Sequence, residues 1–221
     1  MPNKLLDWRF QNNLNSFISG GEALTGIGTV TFVQTGPVPI FGSYVTGVVD
    51  DVNTLAFDTL ALDDFSDLSA FTIVLIYLVD AQNETAPVLV SWKDTGVNTF
   101  VQFTGSTLQW FQASGGGTVA GAAQNPRGAG HMYTALEFDG TNRTIYHGPM
   151  SAFQPSALAT GVLASDTGTV SAFNIGRNNS NGVDMGANWQ RVTVYDGALS
   201  QHMFIEPATG LAAGTPKETE I

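Results

Sequence analysis

The chain contains no cysteine, so neither disulfides nor thiolate metal sites can hold it together, and a buried core has to do so. Charge is sparse: 12% of the 221 residues are Asp, Glu, Lys or Arg, about half the ~25% of an average soluble domain. Positive charge is scarcest of all. The 8 Lys and Arg residues stand singly along the sequence against 19 Asp and Glu, for a net charge of -11. Phosphate backbones are gripped by clustered Lys and Arg, so no nucleic-acid partner is expected. No apolar stretch reaches the roughly 20 residues of a membrane span, and the longest, 71–79, is strand-sized. The opening residues lack both the apolar segment and the small-residue cleavage site of a signal peptide, so no leader is expected.

What is present points to strands. The 25 Gly and 9 Pro, with Asn, Asp and Ser, cut the apolar residues into short β-branched and aromatic runs, the pattern of an all-β protein. Apolar patterning starts at Leu5, Leu6, Trp8 and Phe10, which makes the N-terminus a strand. Thr104-Gly105-Ser106 and Asp139-Gly140 sit between extended segments and are hairpin turns by composition. In 71–79 only Thr72 interrupts the apolar run, so both faces are expected to be buried. Either a second layer or long loops cover this central strand, or it meets another subunit.

Residues 189–195 alternate, placing Gln190, Val192 and Val194 on one face and Trp189, Arg191, Thr193 and Tyr195 on the other. Residues 115–130 are small and aperiodic and read as a mobile or partner-ordered loop; 148–168 read as a long loop. A single helical turn is expected over 199–204, and 207–221 has the composition of a tail that is disordered in isolation.

Three stretches occur in a familiar order. The chain opens Leu-Leu-Asp-Trp-Arg-Phe; 132–148 include Tyr-Thr-Ala-Leu-Glu-Phe-Asp-Gly-Thr-Asn-Arg-Thr-Ile-Tyr-His-Gly; and 173–200 run from Phe-Asn-Ile-Gly-Arg through a loop to Val-Tyr-Asp-Gly-Ala-Leu-Ser. Over residues 5–206 this order resembles the laminin-G-like, or concanavalin A-like lectin/glucanase, domains. The resemblance implies a two-sheet antiparallel β-sandwich with jelly-roll topology, filling residues 1–206 and followed by the 207–221 tail. Such folds carry many functions, so the scaffold does not choose among them.

Glucanases of that family use Glu-x-Asp-x-x-Glu, with paired carboxylates as nucleophile and acid/base. Residues 137–142 read Glu-Phe-Asp-Gly-Thr-Asn, with Asn142 where the second Glu is needed and Asp139 explained by its turn. No Gly-x-Ser-x-Gly elbow occurs, and His131, His147 and His202 are isolated. The Gly-x-Gly-x-x-Ala string at 115–120 is followed by no helical pattern that could present a phosphate site. A non-enzymatic protein is therefore expected.

Some laminin-G-like domains bind calcium on rim loops, and Asn178, Ser180, Asn181 and Asp184 offer oxygens of the right kind. A lone carboxylate gives little affinity and Asx-rich turns need no metal, so no metal or cofactor is expected, with calcium at this loop as the exception to test. Sugar recognition in the family pairs an aromatic ring with Asn or Asp, which makes Asn178, Asn181, Asp184 and Trp189 the candidate ligand-binding residues. Core packing is the competing role for Trp92, Trp110 and Trp189. In Trp110-Phe111 the adjacent rings point to opposite faces, so one of them can lie outside the core.

Low charge, a doubly apolar strand, and no cysteine or leader fit a non-enzymatic bacteriophage virion protein. It would be a capsid decoration (cement) subunit or a head or tail appendage, made in the host cytoplasm, homo-oligomeric and docked on capsid or tail proteins. The alternative is a lectin-like module for a cell-surface glycan; a second is a degenerate glycan hydrolase.

Overall fold

Strands make up nearly all the regular structure of the computed structural model, which describes residues 2–10, 14–18, 23–26, 31–33, 44–46, 55–57, 69–78, 88–94, 97–113, 116–123, 130–150, 156–163, 170–176 and 187–199. In chain order they are β1 (Lys4–Trp8), β2 (Leu24–Gly26), β3 (Thr31–Val33), β4 (Tyr44–Thr46), β5 (Leu55–Phe57), β6 (Phe71–Leu78), β7 (Val88–Asp94) and β8 (Val97–Thr104). There follow β9 (Thr107–Gln112), β10 (Gly117–Ala122), β11 (His131–Phe138), β12 (Arg143–Pro149), β13 (Ala157–Gly161), β14 (Val170–Ile175) and β15 (Asn188–Tyr195). Sheet A runs β13-β12-β11-β6-β15-β4-β3, with β1 also paired to β15, and sheet B runs β10-β9-β8-β7-β14-β5-β2. All the pairings are antiparallel. The chain crosses between sheets repeatedly, as at β5 to β6, β6 to β7, β10 to β11 and β14 to β15, which gives the expected jelly-roll sandwich. No helix among the described residues is long and apolar enough to cross a membrane.

In place of disulfides, aromatic rings fill the space between the sheets. Trp92 meets Trp110 edge-on at 5.8 Å and stacks on Phe173 at 6.3 Å, while Phe71 lies against both tryptophans. Each such ring removes roughly 150–250 Å² from water, the largest contribution a side chain can make. Trp92, Trp110 and Trp189 are 1%, 0% and 3% exposed, so all three belong to this core. One polar chain runs through it: Tyr77 Oη to Thr134 Oγ1 and Thr134 Oγ1 to His147 Nδ1, each at 3.0 Å. The chain satisfies groups that would otherwise be costly to bury, and burial pushes the Tyr77 phenol well above its usual pKa.

Strand β6 is buried on both faces, as its composition demands. Ile73, Leu75 and Tyr77 face the sandwich interior, whereas Val74 joins Tyr133, Ala135, Tyr146, Tyr195 and Leu199 in a smaller cluster on the outer side. The segment after β15 is tied down there. Thr72 Oγ1 donates to the Gly197 carbonyl at 2.8 Å and accepts from the Leu199 amide at 3.2 Å. The apolar run is thus a central strand with a covered outer face.

Two expectations fail. Within 115–130, β10 pairs with β9 in unbroken register from Gly117 opposite Gln112 to Ala122 opposite Thr107, and within 148–168, β13 pairs with β12. Both strands are built of Gly, Ala, Thr, Leu and Val with little apolar alternation, and backbone ladder bonds carry them. Their small residues also close the sandwich: a Cβ at Gly121 would stand 2.6 Å from the Leu158 carbonyl oxygen.

The strict alternation expected over 189–195 fails as well. The register on β6 slips between Trp189 and Arg191, a bulge that leaves Gln190 as the extra residue. Trp189 consequently shares the interior with Val192 and Val194. The helical turn expected at 199–204 and the 207–221 tail fall, apart from Leu199, outside the described residues.

Candidate binding face

Strands β8, β9 and β10 place Val101, Phe103, Leu108, Trp110 and Val119 in the core. Side chains alternate along a strand, so Phe100, Gln102, Gln109, Phe111, Thr118 and Ala120 occupy the outer face of sheet B. Pairing registers arrange them in rows across the strands. Phe100 lies beside Phe111 and Phe111 beside Thr118; Gln102 lies beside Gln109 and Gln109 beside Ala120. The Phe100 and Phe111 rings stack with centroids 5.9 Å apart and planes 10° from parallel.

Of these rings Phe100 is buried and Phe111 half-buried, while Gln102 and Gln109 are half-buried and Thr118 and Ala120 exposed. Phe100 is thus a backing plate that fixes the plane of Phe111. Thr104 Oγ1 donates to Gln109 Oε1 at 3.4 Å, which leaves the Gln109 Nε2 donors without a partner among the described residues. No Asp, Glu, Lys, Arg or His occurs anywhere in these three strands. The result is an uncharged surface with one oriented aromatic ring, amides that can both donate and accept, and a hydroxyl.

Sequence reasoning chose other residues. Asn178, Ser180, Asn181 and Asp184 lie outside the described residues. Trp189 packs inside the sandwich, its ring centroid 5.4 Å from that of Tyr77. The separation of Trp110 from Phe111 onto opposite faces holds, and it was the one signal that led toward this surface. The Phe100 partner was invisible until the β8–β9 register was known.

The strand that would carry glucanase carboxylates lies on the other sheet. Asp139 Oδ1 accepts from the Thr141 and Asn142 amides at 2.9 and 2.7 Å, and Oδ2 accepts from Asn142 Nδ2 at 3.1 Å, while Gly140 takes φ 96°. Those bonds hold the Asp139 carboxyl below its usual pKa and commit it to the hairpin turn. Burial, and then the charge of Asp139, push Glu137 above the ordinary range; a 3.5 Å bond from Tyr146 Oη opposes this weakly. Among the described residues no group of three or more His, Cys, Asp or Glu could hold a metal ion.

No protein-family model and no curated protein matches the chain. Solved structures match its fold. Domain 4 of AbnA, a GH43 extracellular arabinanase from Geobacillus stearothermophilus solved with arabinotriose, superposes with TM-score 0.69 at 14% identity, over 96% of this chain and 98% of that one. The botulinum neurotoxin serotype C1 binding domain gives TM-score 0.67 at 11% identity, over 95% of this chain and 52% of that one. The binding domain of botulinum neurotoxin DC in complex with SialylT gives 0.62 at 11%, covering 90% and 49%. The chain thus spans about half the length of those toxin binding domains. These likenesses establish the fold, a jelly-roll β-sandwich.

Proposed function

We propose that the chain is a carbohydrate-binding module that lays a glycan across β8, β9 and β10. The observation that carries this reading is the Phe111 ring, held flat on Phe100 and bordered by Gln102, Gln109 and Thr118 on an uncharged face. A sugar ring has an apolar face that can stack on an aromatic ring and a rim of hydroxyls that amides can bind. Small-ligand sites commonly combine these two elements. The full-length likeness to an arabinanase domain solved with arabinotriose supports the same reading.

Binding without cleavage fits the commitment of Asp139 to its turn. The capsid- or tail-docked virion role expected from the sequence has no support among the similar structures, and the carbohydrate-binding alternative takes its place. A glycan array followed by affinity electrophoresis in the retained polysaccharides tests it, with parent, Phe111→Ala and Gln109→Ala proteins, each with and without chelator. Retention should weaken by about tenfold or more in Phe111→Ala, as for a buried aromatic contact, and be unchanged by chelation. A parent that binds no glycan, or a Phe111→Ala protein that binds as well as the parent, sinks the proposal.

A further inference from the structure

The outer face of sheet B is open on one side and closed on the other. In the row through Phe111, Thr118 on β10 is exposed, Phe111 on β9 half-buried and Phe100 on β8 7% exposed, while Ser91, the next residue in register on β7, is 0% exposed. The row through Gln109 falls in the same order, from exposed Ala120 through half-buried Gln109 and Gln102 to Val88 on β7, also 0% exposed. Residues opposite one another on neighbouring strands share a face, so Ser91 and Val88 point outward with Phe100 and Gln102. Val88 is accordingly not part of the core cluster between the sheets. An antiparallel sheet face that met solvent would leave such residues wet. The face is therefore covered from β7 onward, and its open part is a recess over β10, β9 and β8 that ends against a wall.

Within the recess the pairing of a phenyl ring with an amide repeats across the strands. Phe111 with Gln109 on β9 and Phe100 with Gln102 on β8 are the same pair, set one strand spacing apart, about 4.8 Å. Along β9 the next outward residue beyond Gln109 is Thr107, and β8, β9 and β10 carry no other outward ring. A chain that uses both pairs must cross the strands, and from β10 it reaches the wall after about 10 Å.

We infer that this recess takes the free end of a glycan. The terminal sugar stands over Gln102 against the covered edge of β7, the next ring lies on Phe111, and the rest of the chain leaves over Thr118 and Ala120. The inference rests on the carbohydrate-binding reading above and narrows it to chain ends and single-sugar branches. An internal segment laid across the strands would need a way out over Ser91 and Val88, and their burial denies it.

Isothermal titration of the full chain tests this with debranched arabinan, linear xylan and mixed-linkage β-glucan, each offered as the polymer and as its trisaccharide and hexasaccharide. Where one of these binds, the two oligosaccharides should match in affinity per molecule within about twofold, and partial hydrolysis of the polymer should raise the number of sites per gram in step with the number of ends. Gln102→Ala should weaken binding of every form by about fivefold; the residue is half-buried outside the core, so its variant folds. Borohydride reduction, which opens the ring at the reducing end, assigns the end held: the reducing one if the reduced trisaccharide no longer binds, the other if it binds as before. Affinity that climbs from trisaccharide to hexasaccharide, sites per gram that stay constant as the polymer is cut, or a Gln102→Ala protein that binds like the parent overturns the inference and leaves the carbohydrate reading standing. A parent that binds none of the three also overturns it, while the carbohydrate reading itself falls only if the glycan array is empty as well.

Discussion

Arg191 on β15 and Asp7 on β1 form a two-point ion pair, Nε to Oδ1 at 2.8 Å and Nη2 to Oδ2 at 2.7 Å, withdrawn from solvent. They are 184 residues apart, so the pair fastens β1 to β15 across almost the whole length of the described chain. Removing one partner strands the other charge in the interior, which costs about 3–5 kcal/mol, whereas replacing both by apolar residues costs far less. Arg191→Met and Asp7→Leu should each shift the urea midpoint down strongly, and the double variant should recover most of the loss. Additive losses would show that the pair is not coupled.

The same pair sets an acid limit. Burial alone would raise the Asp7 carboxyl, but the hydrogen bonds and charge of Arg191, backed by Arg9 and Lys4, hold it below the usual carboxylate range. A folded pKa depressed below the unfolded value contributes stability above about pH 4, and that contribution is lost as pH falls through the folded value. Urea unfolding of the parent should weaken progressively below about pH 4. In Asp7→Asn that part of the pH dependence should be missing, from a lower starting stability.

Glu137 works in the opposite sense. Burial first, and then the Asp139 charge, raise its pKa in the folded chain. Its contribution is therefore fully present below about pH 4.3 and is lost as pH rises through the higher folded value. Glu137→Gln should match or exceed the parent in stability at neutral pH, with the difference vanishing below about pH 4. A Glu137→Gln protein markedly less stable at neutral pH would mean that the charged carboxylate is the form the fold favours.

Gly121 tests how the sandwich closes. A Cβ there would meet the Leu158 carbonyl oxygen at 2.6 Å and Leu158 Cγ at 2.9 Å, and the backbone atom cannot rotate away. Gly121→Ala should cost about 1–3 kcal/mol, as overpacking does, read as a lower thermal midpoint. An unchanged midpoint would mean that β13 separates from β10 freely.

How much of this was legible in the sequence depended on what each strand buries. β6, β11 and β15 announce themselves because large apolar side chains must be hidden, and the Asp139 turn because an Asx side chain serves its own backbone. β10 and β13 hide because ladder bonds, which leave no mark on composition, carry them. The bulge at Gln190 hides for a related reason: one inserted residue turns Trp189 inward without altering any residue type. The candidate face was half legible, since alternation separates Phe111 from Trp110, while the Phe100 partner depends on register between strands.

Trp110 and Phe111 accordingly make the sharpest contrast between adjacent residues. Trp110 is fully buried against Trp92, Phe71 and the Arg143 guanidinium, and its Nε1 has no hydrogen-bond partner among the described residues. Trp110→Ala should cost about 3–5 kcal/mol through lost burial and a cavity. Trp110→Phe, which forfeits no bond seen here, should cost much less. Phe111→Ala should leave the urea midpoint within about 1 kcal/mol of the parent, because the ring is only partly buried and lies outside the core, and yet abolish most glycan retention. If instead Phe111→Ala unfolds the domain as readily as Trp110→Ala, the ring is a structural element and the outer face of sheet B loses its claim to be a binding surface.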